Sequence, residues 1–228
     1  MCTLSRALLP DGVEIFFNRD EQRSRPKALP PTTDANGILA PMDPQGGGPW
    51  IFAKPNGICG ALLNAYHLKP LPVPSDGFRS RGLLMRDLAE VITADNVMQV
   101  LGEMLTRHPY PPFFFARITR QNIRAWHWNG EKLADKPLAF PMLTTSAFKP
   151  EIIVPLRIRR YCGCTAIPEN PEVPELERFH NWHEPEMPEV STLMSRADAR
   201  TVSFTRVSIR EGESPRMVYT DNSPQQTG

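Results

Sequence analysis

A cysteine placed directly after the initiator methionine can do chemistry that few other positions allow. Methionine is normally trimmed ahead of a residue as small as cysteine, so Cys2 would come to carry a thiol and a free α-amino group on one residue. The amine, with a pKa of roughly 7.7–8.0, is partly neutral at cellular pH and can take the proton from the adjacent nucleophile. The thiol titrates at about 8.5 when unperturbed, needs less help than a hydroxyl, and is lowered further by nearby cations. Cysteine at position 2 is by itself equally compatible with an inert thiol, so its neighbours decide. Arg19 and Asp20 are the candidates. A carboxylate beside the chain start can hold the amine and a guanidinium can favour the thiolate, whereas a solvated charged turn would need neither.

Those two charges reach Cys2 only if the chain folds back on itself. Residues 2–9 and 12–18 read as strands around Pro10-Asp11-Gly12, and Asp-Gly is a strong hairpin turn signal. An antiparallel return then brings Arg19 and Asp20 beside the terminus. A proline-rich loop is expected to about residue 47, followed by a second hairpin, Pro49–Lys54 and Ile58–Asn64, around Pro55-Asn56-Gly57. From Arg81 to Leu105 the apolar residues recur at helical spacing with a fresh start at Asp95-Asn96, which predicts two consecutive helices. Phe113–Ile118 and Ile123–Trp128 form a third hairpin. Pro150–Tyr161 predicts a helix with a basic face, Glu175–His183 a shorter one, and Thr201–Ile209 a strand partnered by Met217–Thr220. Hairpins around a helical middle favour an α+β fold with antiparallel sheets over a doubly wound parallel one. One domain over 1–216 is expected, with the last strand and a disordered tail over 217–228.

Composition narrows the partners. Twenty-six basic residues against twenty-five acidic ones leave a net charge of +1, with no block of either sign to attract nucleic acid or an anionic membrane. The 25 prolines are scattered as loop punctuation and form no repeat. No run approaches the roughly 18 apolar residues of a membrane span, and no signal-peptide layout opens the chain. A cytoplasmic protein acting on a small molecule is the expectation; the oligomeric state is open. Gly46-Gly47-Gly48 is followed by Pro49 and Trp50, without the lysine and helix of a phosphate loop. Cys162-Gly-Cys164 with His180 and His183 lacks the usual zinc spacing, and reads as reduced thiols with two surface histidines. No metal or cofactor is expected.

At this point the motifs carry a resemblance. Met1-Cys2-Thr3, Phe17-Asn18-Arg19-Asp20-Glu21 and Arg25-Pro26 are followed in order by Gly47-Gly48-Pro49-Trp50, Gly57 through Leu63-Asn64, and Ser80-Arg81-Gly82. Leu143-Thr144-Thr145-Ser146 and Arg196 through Ser203 complete the series. Together they resemble the NRDE family, named for that tetrapeptide, whose members include transport and Golgi organisation proteins. The family is similar in turn to the N-terminal-nucleophile amidohydrolases of the penicillin acylase and bile-salt hydrolase type. That resemblance implies a four-layered αββα sandwich with antiparallel sheets, Cys2 as nucleophile, Asp20 and Arg19 beside it, and Asn64 at an oxyanion hole. Where those hydrolases use a second asparagine this chain has Thr144-Thr145-Ser146, and either Arg196 or Arg200 matches their late arginine. Asn18, Tyr66, Thr145, Ser146, Arg196 and Arg200 are thus expected to bind the ligand.

Two functions compete. In the first, the Cys2 thiolate attacks an amide or thioester of a small, partly apolar molecule, with Phe52, Tyr66, Phe78, Phe113 and Phe148 as candidate pocket walls or ordinary core. In the second, the fold carries a hydrophobic ligand such as a lipid, an acyl-CoA or haem without turnover. For haem the available ligands are Cys2, His67, His108, His127, His180 and His183, with no Cys-x-x-Cys-His attachment motif.

Overall fold

The computed structural model describes residues 2–66 and 72–222. The chain forms two compact units. One draws on the chain up to Lys27, on Ala139–Glu211 and on the residues from Arg216 onward; the other on Ala28–Leu138 with Gly212–Pro215. The class is α+β, and both sheets are antiparallel.

In the first unit β1 (Cys2–Leu9) and β2 (Gly12–Gln22) make the expected hairpin, with Cys2 opposite Arg19 and Leu9 opposite Gly12. Sheet order is β10 (Met142–Thr145), β1, β2, β11 (Ala199–Arg210) and β12 (Arg216–Asp221). Helices α3 (Pro150–Cys164) and α4 (Val173–His180) pack on one face, around Ala7, Phe16, Tyr161, Leu176 and Phe179. Alternation along the strands fixes which residues meet those helices. Thr3, Ser5 and Ala7 share the helix face with Glu14, Phe16 and Asn18; Cys2 and Leu4 share the opposite face with Arg19, Phe17 and Ile15. The buried Glu14 is tolerated because Arg206 (2.7 Å), Ser208 (2.9 Å) and Arg210 all donate to it from β11.

The second unit has the order β3 (Leu29–Thr33), β4 (Leu39–Met42), β5 (Ile51–Ala53), β6 (Cys59–Asn64), β7 (Phe113–Ile118), β8 (Ile123–Trp128) and β9 (Leu133–Lys136). Helices α1 (Arg81–Val91) and α2 (Val97–Arg107) enclose a core with Phe52, Leu62, Phe113, Phe115 and Trp126. The segment expected to be loop up to residue 47 instead holds β3 and β4. Pro30 and Pro31 are accommodated because β3 is the sheet edge, where a missing N–H costs no ladder bond. The glycine run has a packing role: Gly47 adopts φ 69°, and a Cβ on Gly48 would lie 1.9 Å from the Gly82 carbonyl oxygen. Ser80 joins the same junction, accepting from Gly82 N at 3.1 Å as the α1 N-cap and donating to Gly46 O at 2.5 Å.

Candidate active site

Cys2 sits at the end of β1 with a strand on either side, opposite Thr145 of β10 and Arg19 of β2. Directly opposed residues share a face, so Thr145, Cys2 and Arg19 form a row, extended by Ser203 of β11. The Cys2 backbone nitrogen donates to Thr145 Oγ1 at 3.2 Å. The thiol is buried, and burial pushes its pKa up; Asp20 adds to the rise, while Arg19 and a hydrogen bond from the Asp20 main chain oppose it. Arg19 is itself buried and lies 3.5 Å from the Glu21 carboxylate.

Asp20 is one residue further along β2 and therefore faces the helices. Its Oδ1 accepts from Thr201 Oγ1 at 2.6 Å. Its Oδ2 is held by Arg157 of α3, at 3.4 Å from Nη2 and 3.5 Å from Nη1. Arg157 is fully buried and spends its other donors on Val190 O (3.1 Å), Ser191 O (2.6 Å), Thr3 Oγ1 (3.2 Å) and Thr144 Oγ1 (3.4 Å). The sequence predicted only a helix with a basic face here and did not single out this arginine. Its signal was the spacing: Ile153, Arg157 and Tyr161 stand four apart, on the stripe α3 buries. A bulge between Thr201 and Ser203 lets β11 serve both sides of the sheet, with Thr201 opposite Asp20 and Ser203 opposite Arg19.

Asn18 neighbours this network. Its amide nitrogen donates to His180 O (2.8 Å) and Thr192 O (2.7 Å), which leaves Oδ1 to accept from His180 Nδ1 at 2.9 Å. His180 Nε2, 2.7 Å from Ser5 Oγ, is then the acceptor of a neutral imidazole. The expectation of a surface histidine is corrected here: His180 is 1% exposed, stacked on Phe16 and edge-on to Phe179. Its position beside Leu176 and Phe179 on the buried stripe of α4 explains why. Burial, aided by Arg157, pushes its pKa down to about 3. His183 is exposed, and Cys162 and Cys164 are partly buried against the α3–α4 core. Among the described residues no three of His, Cys, Asp and Glu are grouped to hold a metal.

The other expected site residues are distributed between the units. Thr145 ends β10 and Ser146 follows it; Ser146 Oγ donates to Phe148 O at 2.5 Å. Arg196 is gripped by Asp198, at 2.9 and 2.6 Å, and lies over the Phe148 ring at 5.0 Å. Arg200 stands opposite Glu21 on β11. Asp20 is thus met by Arg157, and neither Arg196 nor Arg200 is among its described hydrogen-bond partners. In the second unit Asn64 ends β6 opposite Phe113, with its amide 3.4 Å from Tyr66 Oη. Phe52 and Phe113 are core of that unit, Phe78 is half-buried, and Tyr66 and Phe148 are exposed. His67 lies outside the described residues.

The fold is that of the N-terminal-nucleophile hydrolases. It is shared with the Caenorhabditis elegans orthologue of N-acylethanolamine-hydrolyzing acid amidase at 11% identity and a TM-score of 0.53, over 90% of this chain and 92% of that one. Penicillin V acylase from Agrobacterium tumefaciens is also similar, at 11% identity and a TM-score of 0.54, over 97% of this chain and 86% of its own. The sequence pattern of the Transport and Golgi organisation 2 family matches residues 14–147, more than half of the chain, and the chain belongs to that family. No curated protein sequence matches it.

Proposed function

We propose that this protein is a cysteine amidohydrolase of the N-terminal-nucleophile type, acting in the cytoplasm on an amide or thioester of a small, partly apolar molecule. The observation that carries the reading is the setting of the Cys2 nitrogen, which becomes the α-amine once Met1 is removed: it is hydrogen-bonded to Thr145 at 3.2 Å, in the strand beside Arg19 and Asp20. Because burial holds the thiol in its protonated form, attack needs a base, and that amine is the base nearest to hand. Cys2 Sγ bonds to the substrate carbonyl carbon as its proton passes to the amine. The amine then protonates the departing nitrogen or sulfur, the bond to it breaks, and water cleaves the acyl-enzyme. One of the two similar hydrolases is by name an amidase and the other an acylase, and this supports an amide as the first substrate to try.

Intact mass before and after an acylating thiol probe at neutral pH tests the reading. The expected result is a chain lacking Met1 that takes one label rapidly and loses labelling in Cys2→Ala. Retained Met1, or labelling at Cys59, Cys162 or Cys164 instead, would overturn it.

A carrier for a hydrophobic ligand is the second reading, favoured by the hydroxyl of Ser146, which follows Cys2's partner strand. Ser146 gives its proton to Phe148 O, so it is not set to donate to an oxyanion. A carrier binds its ligand equally well with Met1 retained, and the same samples separate the two.

A further inference from the structure

Asp20 presents a difficulty for any reactive cysteine beside it. A buried carboxylate one residue from the strand partner of Cys2 opposes the thiolate, and a buried cation beside it offsets that effect. Arg157 is such a cation, 0% exposed against 1% for Asp20. The same guanidinium reaches the hydroxyls of Thr3 and Thr144 at 3.2 and 3.4 Å, and those hydroxyls lie 2.8 Å from one another. Thr3 and Thr144 are the residues next to Cys2 and Thr145, the pair whose hydrogen bond fixes the Cys2 nitrogen. Arg157 therefore ties together three strand ends, those of β1, β2 and β10, from the face opposite the thiol.

We infer that Arg157 is the positioning residue of the Cys2 site: it fixes the strand ends that carry Cys2 and Thr145, and its charge cancels that of Asp20 so that the thiol meets no net negative neighbour. Arg196 is held by Asp198, and Arg200 stands opposite Glu21. The inference rests on Cys2 being the reactive group but requires no turnover. A purely structural arginine would affect stability alone, whereas one that balances Asp20 also sets the pH at which Cys2 reacts.

The test is the rate of Cys2 alkylation by iodoacetamide against pH, read by mass spectrometry on the N-terminal peptide. In Arg157→Met the profile is expected to move up by about one pH unit, which is about tenfold slower labelling at pH 7. Arg157→Lys, with the charge kept but the fork lost, should move it less. Arg157→Met combined with Asp20→Asn should return it towards the wild type, because the uncompensated charge is gone. Unchanged profiles in folded Arg157→Met and Arg157→Lys, or a double variant no closer to wild type than Arg157→Met, would overturn the inference. If Arg157→Met does not fold, Arg157→Lys decides: a profile moved up upholds the inference and an unchanged one overturns it. Hydrolysis is assayed separately, so loss of the amidohydrolase reading leaves this result standing and the reverse.

Discussion

Both ring nitrogens of His180 are engaged, by Asn18 and Ser5, in a fully buried setting. Burial, aided by the Arg157 charge, depresses its pKa to about 3, with a defined consequence for stability. In the unfolded chain a histidine titrates at about 6.5, so on acidification the unfolded state takes up the proton first. The contribution of His180 is complete above about pH 6.5 and is lost as the pH falls towards 3, and it amounts to a few kcal/mol over that window, as an order of magnitude. The urea midpoint of the wild type should therefore fall between pH 7 and pH 4 more steeply than that of His180→Asn, which starts lower at pH 7 because the ring bonds are gone. Parallel slopes would show that His180 is not the titrating group. At this scale the sequence disclosed Cys2, Arg19 and Asp20 because one hairpin brings them together. Arg157 and His180 stayed hidden, since a charged or polar residue on a helix stripe looks like solvent-facing decoration until its partners on the sheet are known.

The elements that were legible are those with local signals. Asp11-Gly12 and the pair Asn56-Gly57, with Gly57 at φ 79°, announce their hairpins, and the β7–β8 pair has the bounds its alternation predicts. Strand β10 carried no such mark. It is four residues long and is held by a partner far away in sequence, Thr145 by Cys2 across 143 positions. Strands β3 and β4 were obscured by prolines that only an edge position permits. Among the motifs of the family resemblance, Gly47-Gly48 and Ser80-Arg81-Gly82 turn out to meet each other, which makes them a junction between loop and helix. Replacing Gly48 by alanine puts a methyl group 1.9 Å from Gly82 O and 2.4 Å from its carbonyl carbon. Backbone cannot swing aside as a side chain can, so Gly48→Ala should cost about 2 kcal/mol or more. Thermal melting checks this, and an unchanged midpoint would refute the proposed close packing. Gly102, where an added methyl group would meet nothing within 4 Å, is the matched control.

On the scale of the whole chain, the first unit is assembled from segments that the second separates. Strand β2 is paired along its length by β11, down to a hydrogen bond between Thr201 and Asp20 that spans 181 positions. No described helix is long and apolar enough to cross a membrane. Ending the chain at Asp198 removes β11 and β12 and leaves β2, rich in buried Phe and Ile, as an open edge. That truncation should be insoluble, while ending the chain at Asn222, after β12, should leave a soluble protein; the soluble fraction and gel filtration of each will tell. The burial of Cys2, 7% exposed and walled by β10 and β2, also has a consequence for timing. Strand β2 follows at once, but Thr145 of β10 lies 143 positions on, and translation at about 5–20 residues per second leaves Cys2 without that partner for about ten seconds. On the proposed function, that interval is when Cys2 is most open to the aminopeptidase that removes Met1.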